Sequence, residues 1–168
     1  MISVNTAFSV LMSVYKNDDP EHLRVALKSF YHEPPLKPEE VVIVADGKFT
    51  TEQLSIVSNF GATVPHNLVT FVELPQNVGL AAALNEGLKH CCHEIVARMD
   101  ADDIALPTRF EKQINFLLLN PHVDVCGTLI DEIDTVTEEY ISTRKVPLKH
   151  EDIKVFARKR SAVSHPSE

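Results

Sequence analysis

Short apolar runs alternate with segments of helical periodicity along most of the chain. The runs are nearly continuous, which is typical of strands buried on both faces of a sheet. They lie at Phe8–Val14, Val41–Ala45, Leu68–Leu74, Ile95–Met99 and Val123–Cys126. Helices are predicted between them, from Asp19-Pro20 to Pro34-Pro35, after Thr50, over Gly79–Cys91 and from Pro107. This alternation predicts an α/β fold: a doubly wound, mostly parallel sheet with helices on both faces.

The pattern changes after about Thr128. Asp131–Arg144 has no clear strand–helix rhythm and predicts irregular structure or a hairpin, and His150–Arg160 predicts a short basic helix. We find no repeat and no low-complexity linker, so residues 1–168 are interpreted as a single domain. The last residues do not resemble a natural C-terminus. We therefore expect an N-terminal fragment, truncated on its C-terminal side.

Composition supports a globular, cytoplasmic domain. Hydrophobic residues make up 44% and charged residues 24% of the 168 positions, both close to the values of soluble domains. No apolar run reaches the roughly 18–20 residues that span a bilayer, and the N-terminus lacks a signal-peptide pattern. The three cysteines (Cys91, Cys92 and Cys126) form no CxxC pair, which favours a reducing compartment.

Charge is unevenly distributed. Residues 1–138 carry 9 Lys and Arg against 20 Asp and Glu, whereas residues 139–168 carry 7 against 4. The acidic body argues against nucleic-acid binding, which needs a basic footprint. The basic C-terminal segment is compatible with a phosphate, an anionic membrane surface in peripheral contact, an acidic partner, or simply a solvated helix face.

The candidate chemistry lies where the predicted strands end. Ligands of open α/β sheets bind outside the carboxyl ends of the strands. The polar residues at those ends are Ser13, Tyr15, Asn17, Asp46, Asn77, Gly79, Asp100, Asp102 and Asp103. The pair Asp100-x-Asp102 directly follows an apolar strand and offers hard oxygen ligands, which suit Mg²⁺ or Mn²⁺ together with substrate phosphates. The alternative is that Asp103 or a neighbour only caps the next helix, and both interpretations can hold.

Other phosphate, metal and nucleophile motifs are absent from the sequence. It has no GxGxxG, no GxxxxGK[ST], no GxSxG and no HExxH. The twelve positions from Asp100 to Glu111 imitate an EF-hand loop, but Ile104 and Ala105 break that pattern. The DxD pair therefore remains the main chemical signal.

Four ordered motifs resemble family 2 glycosyltransferases with the GT-A fold. They are SVLMSVY at 9–15, VIVADG at 42–47, NVGLAAALN at 77–85 and ARMDADD at 97–103, and the similarity continues through LPTRFEKQ at 106–113. The resemblance covers nearly the whole chain and is greatest to bacterial enzymes of exopolysaccharide or lipopolysaccharide biosynthesis, of the amylovoran type. It is specific for the family and unspecific for the sugar.

The resemblance implies roles for single residues. The nucleotide would be contacted by Ser13 and Tyr15, by Asp46 through the base, by the segment 77–85 with Asn77 and Gly79, and by Asp100 near the ribose or the metal. Asp102 would be the principal ligand of a divalent metal, Mg²⁺ or Mn²⁺, with His165 as a further ligand. Arg98 and Arg109 would either bind phosphate or brace the loop.

The activity implied is transfer of a sugar from a nucleotide-diphosphate donor, with a UDP-sugar expected, to a saccharide or lipid-linked acceptor. Metal-assisted inverting transfer needs a general base, and no acid here fits that role convincingly, including Asp131, Glu132 and Asp134. The resemblance further implies work at the cytoplasmic face of the inner membrane. The alternatives are an inactive nucleotide-sugar-binding domain and a HAD-type metal-dependent phosphatase; for the latter, Ile104 stands where the motif needs Thr or Val.

Overall fold

A four-stranded, fully parallel sheet organises the protein, with strand order β3-β2-β1-β4. The computed structural model describes residues 7–134, 137 and 139–164. The strands of this sheet are β1 (Phe8–Tyr15), β2 (Glu40–Asp46), β3 (Val69–Glu73) and β4 (Ile95–Asp100). The helices are α1 (Pro20–Tyr31), α2 (Thr51–Thr63), α3 (Leu80–Leu88), α4 (Arg109–Leu119) and α5 (His150–Phe156). A separate antiparallel hairpin pairs β5 (Ile130–Ile133) with β6 (Tyr140–Arg144).

The central strands are covered on both faces, which explains their continuous apolar sequences. On one face, α1, α2 and α4 pack against alternate residues such as Val10, Met12 and Ile43, and the rings of Phe8 and Phe110 lie 4.9 Å apart. On the other face, α3 packs through Ala83. The predicted doubly wound sheet with helices on both faces is confirmed.

Gly87 allows α3 to approach the sheet closely. A Cβ atom at this position would lie 2.5 Å from the Leu11 side chain and 2.6 Å from the Val44 side chain. Both partners belong to the packed core between α3 and the central strands. A methyl group therefore does not fit unless the helix or both side chains move.

Gly87→Ala is expected to destabilise the protein by about 1–2 kcal/mol, because overpacking costs about 1–3 kcal/mol and the gain in helix propensity returns up to about 1. The matched control is Gly61→Ala in α2, where a new Cβ meets nothing within 4 Å. That variant should be neutral or more stable. Urea unfolding of the two variants measures the difference, and equal stabilities would contradict the close packing of α3.

The structure corrects one predicted strand. Val123–Cys126 forms no strand among the described residues, and Val125 is 60% exposed. The run is short and interrupted by Asp124, so it lacks the apolar surface that a sheet strand buries. Of the two alternatives for Asp131–Arg144, irregular structure or a hairpin, the structure shows the hairpin, and the short helix predicted over His150–Arg160 extends over His150–Phe156. His165 lies outside the described residues. In the part of the chain that is described, no helix combines the length and apolarity that a membrane crossing requires.

Candidate functional site

The predicted site residues meet at the carboxyl edge of the sheet. In the parallel registers, Ser13 of β1 is the partner of Asp100 of β4, and Tyr15 is the partner of Asp46 of β2. Strand order reverses between β1 and β4, because the chain moves outward through β2 and β3 and then returns to the far side of β1. Ligands of doubly wound sheets bind at such a switch point. The loops after β1 and β4 flank it.

Asp46 fixes the loop that leads into α3. Its Oδ2 accepts from Asn77 Nδ2 at 2.7 Å and from the Gly79 backbone at 3.0 Å, and its Oδ1 accepts from the Val78 backbone at 2.7 Å. The carboxylate is only 3% exposed. Gly47 makes room for this arrangement, because its φ is +89° and a Cβ there would lie 3.1 Å from the Asn77 nitrogen. Asn77 and Gly79 therefore join the carboxyl edge through Asp46.

Four carboxylates share a negative field beside the switch point. Burial, and then the negative charges of Asp102 and Asp100, raise the pKa of Asp103 to about 6. Burial is also the largest cause that raises the pKa of Asp18, in the loop after β1, with the same two charges adding to it. Asp102 itself is exposed in the turn that follows β4. The edge is thus acidic at a point where a cation would relieve repulsion.

Two arginines support the end of β4 from behind. Arg98 Nη2 lies 2.9 Å from Asp100 Oδ1. Arg109 enters from α4, where its Nη2 donates to the Arg98 carbonyl at 2.7 Å and its Nε donates to Gln113 Oε1 at 2.9 Å. It is only 9% exposed, and burial lowers its pKa to about 10. These contacts are those expected of a side chain that braces the strand end.

The donor set fits a divalent metal that is shared with a phosphate ligand. Two aspartates with hard oxygens, Asp100 and Asp102, match the one or two carboxylates with which Mg²⁺ or Mn²⁺ is held while substrate phosphates complete the shell. Over the described ranges, no group of three His, Cys, Asp or Glu side chains is arranged to hold an ion by itself. Two carboxylates leave most of the coordination shell of such a cation to other oxygens, such as those of a phosphate.

Sequence reasoning missed two residues of this edge. Asp18 follows the first strand and could have been considered with the other strand-end acids. Gln53 stands three residues after Thr50, and the pattern T-x-x-Q is a capping-box signature. The box is present, with Thr50 Oγ1 accepting from the Gln53 backbone and Gln53 Oε1 accepting from the Thr50 backbone, both at 3.1 Å. Neither residue carries a motif for a ligand.

The acids considered for a general base belong to the separate hairpin. Thr143 donates to Asp131 at 2.6 Å, and Ser142 donates to Glu132 at 2.7 Å. These are cross-strand pairs between β5 and β6. Their partners stabilise the hairpin.

Comparison with known proteins gives first the class of fold. One similar structure is that of a mannosyltransferase from Pyrobaculum calidifontis in complex with GDP-Man and Mn²⁺. It is 27% identical to this chain, with a TM-score of 0.57, and the superposed part covers 66% of this chain and 32% of the mannosyltransferase. A Staphylococcus aureus TarS structure (residues 1–349) shares the fold at 24% identity, with a TM-score of 0.58 over 68% of this chain. The fold is the GT-A glycosyltransferase fold.

The sequence then gives the family. The model for glycosyl transferase family 2 matches residues 9–166, and the chain belongs to this family. It is 39% identical over 158 residues to the amylovoran biosynthesis glycosyltransferase AmsE of Erwinia amylovora. The aligned segment covers 94% of this chain and 57% of that protein. It is 36% identical over 160 residues to the Escherichia coli UDP-Gal:alpha-D-GlcNAc-diphosphoundecaprenol beta-1,3-galactosyltransferase, covering 95% and 56%. The chain therefore spans a little over half the length of these relatives.

Proposed function

We propose that this chain is the donor-binding part of a glycosyltransferase that moves a sugar from a nucleotide-diphosphate donor to a saccharide or lipid-linked acceptor. The observation that carries the proposal is the register of Ser13 with Asp100 at the switch point, followed by the exposed Asp102. Membership in the family supplies the reaction class. The match to this family gives no support to the phosphatase alternative.

The nucleotide side of the site is proposed to use six residues: Ser13, Tyr15, Asp46, Asn77, Gly79 and Asp100. Ser13 and Tyr15, at the carboxyl end of β1, are proposed to contact the nucleotide. Asn77 and Gly79 shape the opposite wall, held in place by Asp46, whose contact with the base stays a prediction. Asp100 and Asp102 are the proposed ligands of Mg²⁺ or Mn²⁺. The predicted role of His165 also stays a prediction.

The chemistry proposed is an inverting displacement at the anomeric carbon. The bond to the diphosphate oxygen breaks, the bond to the acceptor oxygen forms, and the acceptor's proton passes to a general base that we expect outside this chain. The divalent cation supplies Lewis-acid stabilisation of charge on the leaving diphosphate. Asp100 and Asp102 would hold that cation, and the Arg98 contact holds Asp100 in place.

UDP is the proposed nucleotide, and a lipid-linked glycan at the cytoplasmic face of the inner membrane is the proposed acceptor. The name of the Escherichia coli relative includes UDP-Gal and a diphosphoundecaprenol acceptor, and that relative has higher identity than the GDP-Man-bound structure. The basic residues of 144–160 favour peripheral contact with an anionic surface. Failure of the chain to float with anionic vesicles at low salt would count against that contact.

Calorimetric titration of UDP with Mn²⁺ and with EDTA tests the proposed function. We expect binding with Mn²⁺ and at least about tenfold weaker binding without it, since the carboxylates otherwise repel the diphosphate. GDP is the nucleotide control and should bind more weakly. Saturating UDP and GDP that give neither heat nor a thermal shift would contradict the donor site.

A further inference from the structure

Gln53 connects the α2 N-terminus to the loop after β1. Its side chain is 0% exposed, and its Nε2 donates to the carbonyls of Tyr15 and Asp18, both at 2.9 Å. Its Oε1 accepts from the Thr50 backbone. Both amide hydrogens and the amide oxygen therefore have partners, and the residue joins segments that are 35 and 38 residues apart in sequence.

Two hydrogen bonds join the first and last residues of the loop that Gln53 holds, Tyr15 and Asp18. The Asp18 backbone donates to the Tyr15 carbonyl at 3.0 Å, and Asp18 Oδ2 accepts from the Tyr15 backbone at 2.8 Å. The Tyr15 carbonyl thus receives two donors, one of them from Gln53. A loop carrying an acid beside Asp100 and Asp102 is pushed outward by like charges, so an anchor on its inner side opposes that displacement.

We propose that Gln53 is a positioning residue of the donor site, which holds the Tyr15–Asp18 loop where Tyr15 meets the nucleotide. The identity of the ligand rests on the proposed function, whereas the anchoring of the loop rests only on the hydrogen bonds of Gln53. A role limited to helix capping would use only the amide oxygen. The two bonds from Nε2 serve the loop and add nothing to the cap.

Two reciprocal variants separate the loop from the cap. Gln53→Glu keeps the side-chain length and the acceptor for the Thr50 backbone, but its carboxylate cannot donate to the two loop carbonyls. Thr50→Ala removes the hydroxyl that caps the Gln53 backbone and leaves both loop bonds intact. Gln53→Met, which loses the cap acceptor and the loop donors while matching the volume, is the second variant should Gln53→Glu fail to fold.

The measurements are amide hydrogen exchange of residues 15–18 in the nucleotide-free chain, and UDP affinity with Mn²⁺, both at pH 8. With two hydrogen bonds removed, we expect exchange about 10-fold or more faster and UDP affinity about tenfold weaker in Gln53→Glu. In Thr50→Ala both should stay within about twofold of the wild type.

Loop exchange in Gln53→Glu equal to that in Thr50→Ala would overturn the proposal. So would a loosened loop with unchanged UDP affinity, because the anchor would then not position the site. If the wild type binds no nucleotide, the proposed function fails by itself, and the exchange comparison still decides whether Gln53 anchors the loop.

Discussion

Asp102→Ala is expected to weaken Mn²⁺-dependent UDP binding by more than about 100-fold. Loss of an outer-shell partner of a metal ligand already costs about 10–100-fold in metal affinity, so loss of a direct ligand should reach at least the upper end of that range. Asp102 is exposed in the turn that follows β4, so its replacement takes no side chain out of the core. The metal-free variant should therefore remain folded.

The electrostatics of the edge sharpen this expectation. The charge of Asp102 helps to raise the pKa of both Asp103 and Asp18. Its removal should lower both pKa values and relieve repulsion in the metal-free chain. A variant that melts no lower than the wild type without metal, yet loses the stabilisation by Mn²⁺ and UDP together, is the expected pattern in thermal melting with and without EDTA.

Asp103→Asn is the matched control for Asp102→Ala. It removes the adjacent acid, whose pKa of about 6 and partial burial set it apart from the exposed Asp102. We expect less than a tenfold loss of UDP affinity, because Asp103 is not among the proposed ligands. Equal losses in the two variants would mean that the acids act through their summed charge, and the assignment of Asp102 as the principal ligand would be wrong.

The fold was predictable wherever burial alone determines the element. Continuous apolar runs identified β1 and β2, because strands covered on both faces need no polar side. The same signal gave a wrong strand at Val123–Cys126, where the apolar run is short and interrupted by Asp124. Asp100 and Asp102 directly follow the apolar run of β4 in the sequence, so they could be located from sequence as acids at a strand end.

The hydrogen bonds that organise this edge could not be predicted in the same way. Asp46 meets Asn77 across 31 residues, and Gln53 meets Asp18 across 35. Such contacts depend on strand order and register, which place segments side by side that no local pattern relates. Sequence can mark Thr50 and Gln53 as a helix cap, but only the structure shows that the Gln53 amide also reaches the loop after β1.

Arg109 illustrates the same limit, because its residue type suits phosphate binding and its burial does not. The guanidinium donates hydrogen bonds to the Arg98 carbonyl, the Gln113 amide oxygen and the Met99 sulfur, the last at 3.2 Å. It also lies within the field of Asp103 and Asp100, which favours the charged form. Arg109 is therefore a buried positive charge that, together with Arg98, balances the acidic end of β4.

Arg109→Met is expected to destabilise the protein by about 3–5 kcal/mol, because it removes a buried positive charge near Asp103 and leaves the Arg98 carbonyl and the Gln113 amide oxygen without this donor. This is a large share of the roughly 5–15 kcal/mol that stabilises a typical domain. Arg109→Lys should give a smaller loss, since it keeps the charge and loses the planar fork. The surface control is Arg24→Met on α1, where Arg24 pairs with Glu21 in solvent and little change in stability is expected. Urea unfolding compares the three variants; an Arg109→Met protein with wild-type stability but no UDP binding would instead make Arg109 a phosphate ligand.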